Sequence, residues 1–183
     1  MGKEYSEIDD RLKRWLARQK MFFVATAPLA ADGLVNCSPK GGDTILVTGP
    51  RQLAYLDYGG SGIETVAHLK ENQRIVIMFC AFEGPPKIYR FHGAGRVLEP
   101  GQDSFDALRA QFPDHPACRN IIVVDVDRIS DSCGYGVPMY EYTGERTAMA
   151  TWIESKTEDE MQAYRAKNNR VSLDGLPGLG PGD

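Results

Sequence analysis

The sequence predicts a mainly β fold: a small antiparallel barrel of about six strands, with short helices between them. Three observations predict it. Short strand-like runs recur at close spacing, separated by turn signals such as Asp32-Gly33 and Gly84-Pro85-Pro86. Ile75 to Phe82 is an unbroken apolar run, as expected of a strand buried on both faces. Ile88 to Leu98 alternates, with Tyr89, Phe91, Gly93, Gly95 and Val97 on one face and Arg90, His92 and Arg96 on the other.

Taken in order, Ser6 to Gln19 reads as a helix. Ile8, Leu12, Trp15 and Leu16 share one face, with Ser6 and Asp9 placed to cap its start. Met21 to Ala27 is aromatic and branched, as strands are, and Asp32-Gly33 turns the chain back into Leu34 to Ser38. Pro39-Lys40-Gly41-Gly42-Asp43 is expected to break that strand and to let backbone amides approach a ligand. Thr44 to Val47 and Leu53 to Asp57 are the next strands. The turn Tyr58-Gly59-Gly60-Ser61-Gly62 then leads into a helix over Gly62 to Glu71, where Ser61 and Glu64 have capping-box spacing. Gln102 to Phe112 is a short helix ended by Pro113, and Ile121 to Ile129 is a last long strand. Beyond it, Ser132 to Pro138 is irregular, and Glu141 to Lys167 is polar and helical in its second half.

The 183 residues suit one domain. Its parts are an N-terminal helix (1–20), the barrel (21–130), and a C-terminal extension (131–183) that wraps the barrel or a partner. A net charge of −4 and a pI near 5.4 argue against a nucleic-acid binder, although local basic groups remain able to hold one small anion. Cys37, Cys80, Cys118 and Cys133 are widely spaced, without a metal-ligand or redox pattern, so no metal is expected. Met21 to Ala31 is too short an apolar run for a signal peptide, and Ile75 to Phe82 is far shorter than the ~20 residues of a membrane span. The expectation is a cytoplasmic protein with no membrane partner.

Candidate chemistry concentrates between Asn36 and Arg90. Arg90, Lys40, Ser38, Ser61 and Thr65 are the donors that a phosphate dianion would need. A capping box at Ser61 and Glu64 would compete for the same helix start, and Glu64 would repel the anion. Arg90 reads equally as the ion-pair partner of Asp57 or Glu83. Asp125 and Asp127 read as solvated. No Ser-His-Asp order, zinc spacing or phosphate loop is present. No catalytic residue is assigned; Tyr58 and His92 are the candidates.

GSGIETVAHLKEN, followed by RIVIMF and YRFHGAGRV, resembles the pyridoxamine phosphate oxidase family of flavin-binding split β-barrels. The similarity covers Met21 to Arg128. The tail segments SCGYGVP (Ser132 to Pro138) and SLDGLPG (Ser172 to Gly178) look like marks of one bacterial subgroup. The resemblance implies a six-stranded split barrel, a homodimer, and FMN bound at the subunit interface. Carried over by position, it implies cofactor contacts from Asn36, Ser38 and Lys40, from Asp57, Tyr58, Gly60, Ser61, Gly62 and Thr65, and from Arg90 near the phosphate. The extended Arg/Lys phosphate pattern and the C-terminal arginine motif of the true vitamin oxidases are absent, so recognition of the vitamin substrate is not expected. The implied function is an FMN-dependent oxidoreductase acting on a small molecule or a reduced nicotinamide. A flavin carrier or sensor without turnover, and a haem or deazaflavin protein on the same fold, are the alternatives. Two substitutions follow from this reading: Arg90→Ala is expected to loosen the cofactor, and Gly60→Val to damage a turn that needs positive φ.

Overall fold

The computed structural model describes residues 2–180. The strands are β1 (Glu4–Tyr5), β2 (Met21–Thr26), β3 (Asn36–Gly41), β4 (Ile45–Gly49), β5 (Gln52–Tyr58), β6 (Arg74–Cys80), β7 (Ile88–Leu98) and β8 (Cys118–Ser132). The helices are α1 (Asp10–Leu16), α2 (Glu64–Asn72), α3 (Asp103–Arg109), α4 (Ala148–Glu154) and α5 (Glu158–Asn168). All strand pairs are antiparallel, in the order β3-β2-β6-β7-β8-β5-β4, with β1 added to β8.

Connectivity shows why this sheet must curl. Laid flat, seven strands would separate β3 from β4 by about 29 Å, at ~4.8 Å per gap. Yet β3 ends at Gly41 and β4 begins at Ile45, and the four Cα steps between them reach at most about 14 Å. The edges therefore face each other across an unpaired seam, which makes a split barrel. The chain turns at the seam through Gly42 (φ 74°) and Asp43 (φ 53°), and the Thr44 carbonyl accepts a bond from Leu56 N (2.8 Å). Pro39 and Lys40 do not break β3 as expected. Pro39 pairs with Phe23 within the strand, and β3 is an edge, where a missing N–H costs little.

Alternate residues of β2, β6 and β7 (Val24, Ile77, Phe79, Phe91) fill the interior with Leu53, Tyr55, Ile122 and Val124. Helix α1 adds Leu12 and Leu16 to the same core. It starts later than expected, because Asp9, not Ser6, caps it: Asp9 Oδ1 accepts from Leu12 N at 2.7 Å. The expectation that Ile75 to Phe82 is buried on both faces is corrected. Strand β6 alternates, and Val76 and Met78 are only half-buried on its outer side. Continuous burial falls instead on β5 and β8. A second apolar cluster under α3 (Leu56, Leu98, Phe105, Phe112, Ile121, Val123) covers the outer side there.

Strand β8 bulges at Asp127, opposite His92 and Gly93 of β7. The glycine is required by closeness: a Cβ at Gly93 would lie 2.0 Å from the Asp125 carbonyl oxygen, which is backbone and cannot swing aside. Gly93→Ala is expected to cost near the top of the ~1–3 kcal/mol range for overpacking, read as a lower urea midpoint with an unchanged slope. A midpoint equal to wild type would show that β8 yields freely.

The C-terminal extension wraps the barrel. Asn169 Nδ2 donates to Gly60 O (2.8 Å), Leu34 N donates to Asp174 (3.1 Å), and Leu179 joins the main core. A capping box forms here, at Thr157 and Glu160 of α5, and not at Ser61 and Glu64.

The N-terminal segment is fastened by Asp131, which accepts from Lys3 N (2.7 Å), Tyr5 Oη (2.7 Å) and Lys87 Nζ (2.9 Å). Burial would raise its carboxyl, but these donors prevail and hold it at about 2. A depressed carboxyl stabilises the fold fully above its unfolded value of ~4, and that contribution is lost as pH falls through the folded value. Stability is expected to drop between about pH 4 and 2 more steeply than in Asp131→Asn. Thermal melts across that range test it, and parallel curves would refute it.

Candidate functional site

A cleft of about 380 Å³ opens where β3, the end of β5 and the start of α2 converge. That size is within the ~300–1,000 Å³ of small-molecule sites. Eight of the residues anticipated from sequence line it: Asn36, Ser38, Lys40, Asp57, Tyr58, Gly60, Gly62 and Thr65. The β3–β2 register explains the first three. Asn36, Ser38 and Lys40 are alternate residues of one strand and turn the same face to the cleft.

Ser61 and Arg90 do not join them. Ser61 is exposed and caps nothing. Arg90 lies on the outer face of β7, where its Nη1 donates to Ser132 Oγ (3.0 Å); neither expected acid, Asp57 nor Glu83, pairs with it. His92 occupies the same outer face, and burial with nearby Arg128 and Arg90 lowers its pKa. Gly60 does not have positive φ, and a Cβ there would meet nothing within 4 Å, so the backbone argument for Gly60→Val fails.

The cation that the sequence reading missed is Arg119. It is the extra residue where β8 bulges opposite Asp57 and Tyr58, and the bulge turns it into the cleft wall. Arg119 Nε and Nη2 donate to Asp57 Oδ2 (3.2 and 2.6 Å), its Nη1 donates to Gly62 O (3.1 Å), and Lys40 Nζ donates to Asp57 Oδ1 (3.0 Å). Burial would raise the Asp57 carboxyl, but Lys40 and Arg119 outweigh it and hold it below the usual range. Asp57 thus positions the two cations. The signal available in the sequence was an arginine next to an apolar strand, CRNIIVV.

A polar network forms the cleft floor. Ser38 Oγ donates to Asn36 Oδ1 (3.0 Å), and Asn36 Nδ2 donates to Thr65 Oγ1 (3.0 Å) and Thr26 Oγ1 (3.2 Å). Thr26 Oγ1 bonds in turn to Nδ1 of the fully buried His68 (2.9 Å). Helix α2 starts at the cleft without a side-chain cap. Formal charge balances: Lys40 and Arg119 face Asp57 and Glu64. Any preference for an anion therefore comes from donor placement. Lys40 and Arg119 retain N–H donors beyond those spent on Asp57 and Gly62, and the Thr65 hydroxyl retains its proton. This donor set fits a phosphate. Beside it, Tyr58 stacks on His115 (4.1 Å between centroids, 17°), and burial pushes its hydroxyl up to about 12.

The curled sheet with its seam defines a split-barrel fold, with a donor-lined cleft beside α2. Residues 8–133 match the family described as pyridoxamine 5'-phosphate oxidase, and the chain belongs to that family. It is 34% identical over 192 residues to the pyridoxamine 5'-phosphate oxidase family protein ustO of Aspergillus flavus, covering 96% of this chain and 77% of that one. Solved structures share the fold. The HupZ protein of Group A Streptococcus gives a TM-score of 0.51 at 21% identity, covering 67% of this chain and 91% of that chain. A FAD-binding protein from Mesorhizobium loti gives a TM-score of 0.50 at 13% identity, covering 72% and 96%. Among the described residues, no helix is long and apolar enough to cross a membrane.

Proposed function

We propose that this protein is an FMN-dependent oxidoreductase that works as a homodimer. The observation carrying the proposal is the convergence of Lys40, Arg119, Thr65 and the uncapped start of α2 on one cleft. Lys40, Arg119 and Thr65 would hold the phosphate. Ser38 and Asn36 would bond the polyol or ring edge, with Tyr58 alongside. When bound, the flavin supplies the hydride or electron chemistry; the protein supplies binding, orientation and electrostatics. Family membership and the FAD-binding relative of the same fold support a flavin. FMN is favoured because the cleft offers one phosphate-sized donor cluster.

The dimer is supported by the outer face of β2 and β6. Phe23, Ala25, Val76 and Met78 are paired across these strands and only half-buried, with Arg90 beside them. A partner would bury this apolar patch. Absorption spectra of the purified protein, with calorimetric titration of FMN, test the proposal. A protein that stays colourless and gives no heat with FMN would end it. Air-free mixing of the yellow protein with NADH or NADPH tests turnover: rapid bleaching supports an oxidoreductase, and persistent colour supports a carrier.

A further inference from the structure

A second cavity, about 800 Å³, lies beside α1, between that helix, the N-terminal strand and the turn before β7, with Leu12, Trp15 and Tyr89 of the core's edge in its wall. Lys3, Arg11, Arg14, Arg18 and Lys87 line it. Arg11 and Arg14 are three apart on α1 and so project from one side of it, and Arg18 follows in the turn after its C-cap. Among the described residues, no carboxylate comes within ion-pair reach of those three. The two acids in the wall are engaged elsewhere: Asp9 accepts from Leu12 N, and Glu83 from Tyr142 N. Lys87 is held by Asp131 (2.9 Å), yet Arg11 repels it across the cavity. A chain with net charge −4 thus places five cations around one hollow.

The same hollow has an aromatic floor. Trp15 and Tyr89 meet edge to face (4.7 Å, 62°), and Tyr5 tilts against Tyr89 (5.6 Å). It also adjoins the cleft. A third cavity of about 640 Å³ shares Arg18, Gln19 and Glu83 with the basic basin, and Lys40, Tyr58 and Met149 with the cleft. The tail walls this corridor. Tyr140 N donates to Phe82 O (3.0 Å), and the Lys20 ammonium sits over the Tyr142 ring, 5.4 Å from its centroid.

We propose that the basin binds the phosphate-bearing half of a nicotinamide dinucleotide, with the nicotinamide end extending along the corridor towards the cleft. Unpaired arginines suit a pyrophosphate, the aromatic floor suits a purine, and the corridor suits an extended molecule with a second ring. The role as reductant rests on the flavin reading above; occupancy of the basin does not.

The test uses Trp15 as the reporter. Fluorescence of the full chain, in a Trp152→Phe background, is followed during titration with NADPH, with pyrophosphate as a competitor. Saturable quenching is expected, displaced by pyrophosphate and weakened at least tenfold in Arg11→Gln/Arg14→Gln. Both side chains are exposed, so the fold should be unaffected; circular dichroism checks this. FMN affinity, measured by calorimetry, is expected to match in the two proteins. Absence of saturable quenching, or NADPH affinity within twofold in the double variant, overturns the proposal. If NADPH binds and needs the two arginines while FMN binds neither protein, the basin stands and the flavin reading falls.

Discussion

Arg119→Leu is expected to destabilise the protein by about 3–5 kcal/mol, the cost of breaking a buried ion pair by removing one partner. The Asp57 and Arg119 side chains are only 2% and 5% exposed, and two guanidinium N–H groups converge on Asp57 Oδ2. Without Arg119 that oxygen has no donor, and the Gly62 carbonyl also loses its bond. Lys40 still reaches the other carboxylate oxygen, which places the expected loss towards the lower end of the range. Pairing the change with Asp57→Asn removes the stranded charge, and the double variant is expected to recover much of the loss. Urea unfolding at neutral pH measures both. A double variant no more stable than Arg119→Leu would show that packing, not charge, explains the effect.

Lys40→Met is expected to weaken FMN binding while leaving the fold nearly intact. A charge-assisted hydrogen bond contributes about 1.5–3 kcal/mol, so affinity should fall about tenfold to a hundredfold. Stability should change much less than in Arg119→Leu, because Arg119 keeps both of its bonds to Asp57. The methionine stem retains the apolar length of lysine, which limits any cavity. Calorimetric titration gives the affinity, and a melt of the same sample gives the stability. Unchanged FMN affinity would remove Lys40 from the phosphate site. A loss of stability matching that of Arg119→Leu would make Lys40 a structural residue instead.

The outcome at β3 shows how far sequence reading reached. Asn36, Ser38 and Lys40 are singled out by the family resemblance and, for Ser38 and Lys40, by donor chemistry; the structure sets all three on one face of β3 by period-two alternation, with Lys40 inside the strand and not beyond its end. Pro39 misled only about where the strand ends, since whether a proline is tolerated depends on whether its strand is an edge. That in turn depends on the order of seven strands. The same reasoning explains β6. An apolar run signals burial or an apolar surface alike, and only its neighbours distinguish them; α3 covers β5 and β8, while Val76 and Met78 on the outer face of β6 stay half-buried.

Local pattern, then, determined most of the strands and turns, because these depend on spacing within a few residues, while the family resemblance pointed to β3, β5 and the start of α2 as the segments that line the cleft. Tertiary structure decided which cation completes the site. Arg90 and Arg119 are equivalent in sequence terms, each an arginine on one of two neighbouring strands. A one-residue bulge in β8 turns Arg119 inward onto Asp57, while regular pairing leaves Arg90 on the outside. A bulge reverses the facing of a side chain without leaving a periodic signal in the chain, so only the paired strands reveal it.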